Sequence, residues 1–438
     1  VEFPITYSPI YETKNLANAV FQIHAAEDII TLDGTTRYQQ GELVDEITTG
    51  KDGIAKSKQL YLGKYTVVEK KAPDTFVNAN GQYDVELTYA GQNVSVTSTA
   101  LSVFNERQKV SVSLSKIMEQ NETFKLGNNK EILSVQFGIY ADEDITAADG
   151  SVIPKDALII YGNCDENGKL TFNCDLPIGY KFYAKEMATD EHYILSNAHY
   201  TFDTAYQGQE VETIEIDLNS GQKIENNLIY GTIKGLKIDR ETEKTIEGAL
   251  FGLFNPAETE YTKDNAILTA TTDTNGIFVF ENIPYGNWIV KELQPAKDYL
   301  PSDDIHHITV TDNEQIIEIK AVNDRIPELK TTATIGGEKE ICATETFTLV
   351  DTVEYQHLIP NKEYTLKGVL MDKTTGKELI INGETVTSET VFIPTQPNGT
   401  ATVEFIFDAK YIKADTDIVV FESLYKNNQE LAIHADIE

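Results

Sequence analysis

Basic residues are scarce in this 438-residue chain: 36 lysines and arginines stand against 70 aspartates and glutamates, a formal charge of −34. Such a surface repels phosphate backbones and anionic lipid heads, which excludes nucleic acid and membrane surfaces as partners. The acids are spread along the chain and not gathered in blocks, so they read as a solubility device, with a calcium site or a basic partner as the lesser alternative. Cysteine is nearly absent as well. Cys164, Cys174 and Cys342 contain no C-x2-C pair for zinc, and Cys164 and Cys174 flank the turn Asp165-Glu166-Asn167-Gly168 unequally, so they would not meet across a simple hairpin. No apolar run approaches the roughly 18 residues of a membrane span, and no basic-then-apolar leader opens the sequence; the chain reads as a soluble fragment. His192, His306, His307 and His357 lack metal spacing, and Asp142-Glu143-Asp144 and Ser302-Asp303-Asp304 lack EF-hand spacing. With no Walker, Rossmann or Gly-x-Ser-x-Gly pattern either, neither a metal nor a cofactor is expected.

What is present is short strands. Segments of four to eight residues such as Val110-Ser111-Val112-Ser113-Leu114 and Ile316-Ile317-Glu318-Ile319 alternate with Gly, Asn and Asp turns, and a sustained helical period is missing. The fold class is therefore all-β, a tandem of Ig-like sandwich domains. A block recurs three times. Its Phe strand reads Ala19-Val20-Phe21, Val135-Gln136-Phe137 and Ala249-Leu250-Phe251. Its Glu strand reads Gly63-Lys64-Tyr65-Thr66-Val67-Val68-Glu69, Phe182-Tyr183-Ala184-Lys185-Glu186 and Gly286-Asn287-Trp288-Ile289-Val290-Lys291-Glu292, and each unit closes on Asn105, Asn226 or Asn323. Four domains follow, 1–107, 108–229, 230–326 and 327–438, with joints too short to be flexible linkers, so that an elongated rod of beads is expected.

Side chains alternate across a strand, so residues sharing a face can be read by twos. Val110, Val112 and Leu114 lead an apolar stripe to Lys116, and Ile233 and Gly235 lead to Lys237. Tyr65 and Val67 lead to Glu69, Phe182 and Ala184 to Glu186, Trp288 and Val290 to Glu292. Leu101 and Val103 lead to Asn105, Ile224 to Asn226, and Ile317, Ile319 and Ala321 to Asn323. Trp288 lies on this core face and reads as packing. Polar groups buried singly would cost several kcal/mol each. Burial raises the pKa of a carboxyl and lowers that of a lysine, so a proton can pass from ammonium to carboxylate. The neutral amine can then attack the Asn side-chain carbonyl while the acid shuttles protons and ammonia leaves. Lys, Glu and Asn at strand ends are ordinarily solvated or paired in a salt bridge; their repetition in one order and phase favours the amide.

Lys237-Ile238-Asp239, Glu247-Gly248-Ala249-Leu250-Phe251, Asp273-Thr274-Asn275-Gly276, Ile283-Pro284-Tyr285-Gly286 and Val290-Lys291-Glu292 with Pro295 resemble the Cna B-type, or SpaA-like, prealbumin-like domains of Gram-positive surface adhesins and pilins. Glu69-Lys70-Lys71-Ala72-Pro73 resembles the same Glu strand. In that family the amide is a self-formed Lys–Asn isopeptide bond with Glu as its catalyst. The match implies Lys116, Glu186 and Asn226 in the second domain and Lys237, Glu292 and Asn323 in the third. In the first domain the count back from Phe21 lands on Tyr7, and Val1 to Tyr11 holds no lysine. Either the first strand and its lysine lie upstream of residue 1, the reading favoured by the retained Glu69 and Asn105, or this domain is uncrosslinked.

Residues 327–438 are similar to another family, the VaFE repeat or Thr–Gln ester-bond domain. Leu329-Lys330-Thr331-Thr332-Ala333, Asp351-Thr352-Val353-Glu354-Tyr355, Tyr364-Thr365-Leu366-Lys367-Gly368, Val419-Val420-Phe421-Glu422 and His434-Ala435-Asp436-Ile437 carry the resemblance. It implies that a first-strand threonine attacks a last-strand glutamine. Thr331 shares a face with Leu329 and Ala333 and is chosen over Thr332 as nucleophile, with Asp351, Glu422 and His434 activating it. The family's glutamine falls a few residues past His-x-Asp-Ile, so the ester closes only if the natural chain runs on beyond Glu438.

The resemblances imply a monomeric stalk of a cell-wall-anchored adhesin or pilus-like protein on the outside of a Gram-positive bacterium. It would be no enzyme beyond one self-directed turnover per domain. Its host or matrix ligand and its peptidoglycan anchor would lie outside these residues. The competing readings are accessory modules of a secreted carbohydrate-active enzyme and a ligand-binding adhesin head.

Overall fold

The computed structural model describes residues 4–340, 342 and 346–437. The chain divides into two compact units, Val1–Leu228 and Ile229–Glu438. Strands dominate both, and the only helical elements among the described residues are the single 3-10 turns Glu131–Ser134 and Ala409–Tyr411. Tandem β-sandwiches result, as the alternating pattern predicts.

In the first unit, Leu43–Thr48, Val20–Ala25, Gly63–Lys71 and Gln82–Leu87 form one four-stranded sheet in that order. A second sandwich follows. One sheet orders Leu158–Asn163, Gln136–Ala141, Lys181–Ala188 and Tyr200–Asp203, and the other places Lys109–Met118 between Lys169–Cys174 and Thr213–Asp217. In the second unit, Leu268–Thr271, Leu250–Phe254, Gly286–Gln294 and Ile305–Val310 face a sheet of Ile277–Pro284, Tyr230–Asp239 and Gln315–Asn323. Its other sandwich pairs Glu328–Ile335, Thr346–Gln356 and Gly399–Asp408 against a sheet built on Tyr364–Asp372, Ile418–Lys426 and Gln429–His434.

Two register rules position the sites. Opening and closing strands pair parallel, and the asparagine lies opposite the residue two beyond the lysine: Met118 pairs with Asn226, and Asp239 with Asn323. The catalytic-candidate glutamate lies opposite the phenylalanine of its neighbour strand in all three repeats, Phe21 with Glu69, Phe137 with Glu186 and Phe251 with Glu292. A bulge follows each of these pairs, so the residue before the phenylalanine meets the residue two beyond the glutamate. Such a bulge bends the strand locally and re-aims its side chains.

The first domain corrects one expectation. Leu101, Val103 and Asn105 do not form a strand; residues 88–106 carry none, and neither do residues 4–19. A closing strand in the other repeats is bonded to an opening strand, and no opening strand stands beside this one among the described residues. Phe104 is accordingly exposed. The segment around Tyr7 lies instead against the following sandwich, where the Tyr7 amide donates to the Leu158 carbonyl at 2.8 Å and the Tyr11 hydroxyl to the Asp175 carbonyl at 2.6 Å.

Candidate crosslinking sites

In the second domain the alternation Val110, Val112, Leu114, Lys116 is buried while Ser111, Ser113 and Ser115 are not. The strand thus drives the lysine inward behind three apolar anchors. Its backbone is fixed by a turn: the Lys116 amide donates to the Gly168 carbonyl at 2.7 Å, and a Cβ on Gly168 would stand 2.2 Å from the Lys116 carbonyl oxygen. With φ at +74°, that position admits only glycine without strain. The third domain repeats the device, with Lys237 donating to the Gly276 carbonyl at 2.7 Å and Gly276 at φ +70°.

Lys116 Nζ donates to Asn226 Oδ1 at 2.7 Å and lies 3.5 Å from Glu186 Oε1, with the lysine and glutamate side chains fully buried. Asn226 Nδ2 donates to Glu186 Oε1 at 2.7 Å. Lys237 Nζ lies 2.8 Å from Glu292 Oε2, Asn323 Nδ2 donates to Glu292 Oε1 at 3.1 Å, and the buried Asn323 Oδ1 takes no hydrogen bond among the described residues. Burial pushes both lysine ammonium groups below their ordinary value, opposed by the adjacent glutamates. A lysine so shifted is closer to the neutral amine that nucleophilic attack requires. Beneath each amine lies the phenylalanine of the repeat, Phe137 at 5.6 Å and Phe251 at 5.4 Å.

The first domain assembles only two of the three groups. Asn105 Nδ2 donates to both oxygens of the buried Glu69, at 3.0 and 2.8 Å. Among the described residues no cation pairs with Glu69, in keeping with the missing strand.

Sequence reasoning missed a framework around these groups. Ten residues after each glutamate a backbone amide donates to its carboxylate: Ala79 to Glu69 at 2.9 Å, Ser196 to Glu186 at 2.9 Å and Ser302 to Glu292 at 3.0 Å. Eight residues after it, the amides of Val77, Ile194 and Leu300 donate to the carbonyls of Glu106, Asn227 and Asp324, each directly following the asparagine. Phe76, Tyr193 and Tyr299 bridge to the next residue along. The loop after every Glu strand is thereby clasped to the Asn segment. Its one sequence signal is the aromatic seven residues after each glutamate.

In the fourth sandwich Asp351 and Glu422 are fully buried and Thr331 is half-buried. Glu422 pairs across strands with His434, while Asp351 lies opposite Ala333, two residues from Thr331. Burial, reinforced by the facing Asp351 carboxyl and slightly opposed by the Thr331 hydroxyl, pushes Glu422 up to about 10. Glu422 is therefore favoured in its neutral form, and neither its oxygens nor those of Asp351 have a hydrogen-bond partner among the described residues. His434 Nδ1 is buried without a hydrogen-bond partner among the described residues. The four residues named from sequence thus belong to one neighbourhood, and the residues after His434 are Ala435-Asp436-Ile437-Glu438.

The cysteines are free, Cys164 buried and its thiol pushed up to about 11 by that burial. Trp288 is core, its Nε1 donating to the Pro284 carbonyl at 2.9 Å.

No curated protein sequence matches the chain. Among solved structures it is similar to the Bacillus anthracis TIE protein, at 21% identity over 71% of this chain and 48% of that one, with a TM-score of 0.48. The chain thus spans about half the length of that protein. It is also similar to the major pilin subunit of Bacillus cereus, at 16% identity over 71% of this chain and 95% of that one, TM-score 0.31. A third similarity is to a Mobiluncus mulieris adhesin containing intramolecular disulfide, isopeptide and ester bond cross-links, at 18% identity over 26% of this chain and 54% of that one, TM-score 0.23. Two family models match directly. The SpaA prealbumin-like fold domain covers residues 9–100 and 231–325, and the T-Q ester bond containing domain covers residues 327–438. Residues 101–230 fall outside both matches, and their kinship to the flanking repeats rests on the shared strand order and the Phe–Glu register. Residues 9–100 and 231–325 are thus SpaA prealbumin-like domains, and residues 327–438 are a T-Q ester bond containing domain.

Proposed function

We propose that this chain is a stalk segment of a Gram-positive cell-wall surface adhesin or pilus-like protein, held against shear by two self-formed amides, Lys116–Asn226 and Lys237–Asn323. The observation that carries the reading is the burial of amine, acid and carboxamide together at the ends of parallel opening and closing strands, with Lys116 Nζ on Asn226 Oδ1 in the second domain and Glu292 between Lys237 and Asn323 in the third. Each bond forms when the neutral lysine Nζ attacks the asparagine Cγ. A new C–N bond is made, a proton from Nζ passes through the glutamate to Nδ2, and the Cγ–Nδ2 bond breaks with its electron pair leaving as ammonia.

The mechanical consequence follows from the parallel register. Tension entering at Tyr230 runs along that strand to Lys237, crosses to Asn323 and leaves the domain, so the strands between carry none of it. Unlike a disulfide, the link resists reduction. In the fourth domain Thr331, Asp351, Glu422 and His434 are assigned to the analogous Thr–Gln ester. The extracellular cell-wall location, the host or matrix ligand and the peptidoglycan anchor are part of this proposal.

Intact mass spectrometry tests it. The chain should weigh two ammonias less than its sequence mass, about 34 Da, and digestion should release branched peptides joining Lys116 to Asn226 and Lys237 to Asn323. An unmodified mass would remove the mechanism.

A further inference from the structure

The second crosslinking site differs from its relatives in what holds the nitrogen that must leave. In the first and third domains the asparagine Nδ2 donates to a backbone carbonyl eight residues after the glutamate, Asn105 to Val77 at 3.0 Å and Asn323 to Leu300 at 2.8 Å. Asn226 Nδ2 donates instead to the side chain of Thr189, at 2.9 Å from Oγ1. Thr189 stands three residues after Glu186, where the other repeats carry Ala72 and Pro295, neither of which has a side-chain acceptor. The turn it opens is fixed by Asp190, whose carboxylate accepts from the His192 amide at 3.1 Å and whose carbonyl accepts from the Tyr193 amide at 3.0 Å.

We propose that Thr189 is a positioning residue for the Lys116–Asn226 bond, doing with a hydroxyl what a backbone carbonyl does elsewhere. The inference rests on the crosslinking reading above. A primary carboxamide has two N–H donors and one carbonyl oxygen. Here Glu186 and Thr189 take one N–H each, so Oδ1 is turned to Lys116 Nζ and Cγ is presented for attack. Without the hydroxyl, one N–H loses its acceptor and the amide can rotate, placing Nδ2 where Oδ1 belongs. As Nδ2 becomes the departing ammonia, Thr189 also keeps it beside the Glu186 proton it must receive.

The test follows freshly synthesised full chain over time, digesting it and quantifying the Lys116–Asn226 branched peptide against the Lys237–Asn323 peptide of the same molecules. Thr189→Val keeps the shape and removes the acceptor, Thr189→Ala removes both, and Thr189→Ser keeps the acceptor. Loss of one hydrogen bond to the reacting group should slow the second-domain bond about tenfold in the Val and Ala variants. The Ser variant should match the parent, and the third-domain bond should keep its rate in all. A Val variant as fast as the parent overturns the proposal, as does a Ser variant as slow as Val, or slowing of both bonds together, which would mark a general folding defect. If the parent itself never joins Lys116 to Asn226, the crosslinking reading of this domain fails and the role of Thr189 falls with it.

Discussion

Replacing Glu186 with glutamine keeps the side-chain volume but removes the group that moves the proton, so Lys116 and Asn226 should stay unlinked. Two costs then add. Lys116 and Asn226 are 110 residues apart, and losing closure of a loop of that length is worth about 4 to 5 kcal/mol in the chain-entropy account. The lysine is also left in an apolar site without its counter-charge, which costs roughly 3 kcal/mol or more for a buried pair broken on one side. Shedding its proton relieves part of that, since burial has already lowered the Lys116 pKa. The double variant Lys116→Met with Glu186→Gln removes the second cost and isolates the first. For a domain of about 100 residues each kcal/mol moves the midpoint by roughly 4 °C or more. The double variant should therefore melt about 20 °C below the parent, and Glu186→Gln lower still. Calorimetry reads the second-domain transition, and intact mass confirms that one ammonia more is retained. A Glu186→Gln chain with the parent's ammonia deficit, or one melting within a few degrees of the parent, would refute the reasoning.

Gly276→Ala should destabilise the third domain by roughly 1 to 3 kcal/mol and raise the fraction of unlinked Lys237 in peptide maps, because the new Cβ would stand 2.5 Å from the Lys237 carbonyl oxygen at positive φ. An unchanged melt and map would show that the turn does not set the lysine. Glu69→Gln should show the same intact-mass deficit as the parent, since among the described residues no lysine meets that pair; a deficit one ammonia smaller than the parent's would assign a further bond to the first domain. In the fourth domain Glu422 is raised from 4.5 to about 10 on folding, so the native state keeps a proton that the unfolded chain releases. Its stabilising effect is complete below pH 4.5 and is lost as pH rises toward 10. Thermal midpoints of that domain should fall across this window and flatten in Glu422→Gln, and midpoints that rise with pH would overturn the assignment.

The residues of the sites were legible because strand alternation is a strict period of two: an apolar stripe ending in Lys116 or Glu292 announces which way the last side chain points. The same rule failed at Leu101, Val103 and Asn105, where the alternation is present but the ladder that would hold it is not. A strand needs a neighbour to satisfy its backbone, and its own sequence does not say whether one is there. The clasp between Ile194 and Asn227 was invisible for a different reason, since every residue carries the same amide and carbonyl. Thr189 could not be singled out because its meaning depends on which acceptor the backbone supplies in the sister domains. In the fourth domain Asp351 and Glu422 meet only through the packing of two different sheets, so their contact followed from a family likeness and not from spacing.

The clasp has a consequence for the order of events. Asn226 and Asn323 are gripped by loops that follow the Glu strands, so the proposed chemistry requires that those strands have already found their register. On that reading, a copy that pairs the sheets of its second or third domain wrongly would keep the nitrogen of Asn226 or Asn323, and its mass would be a lasting record of the misassembly.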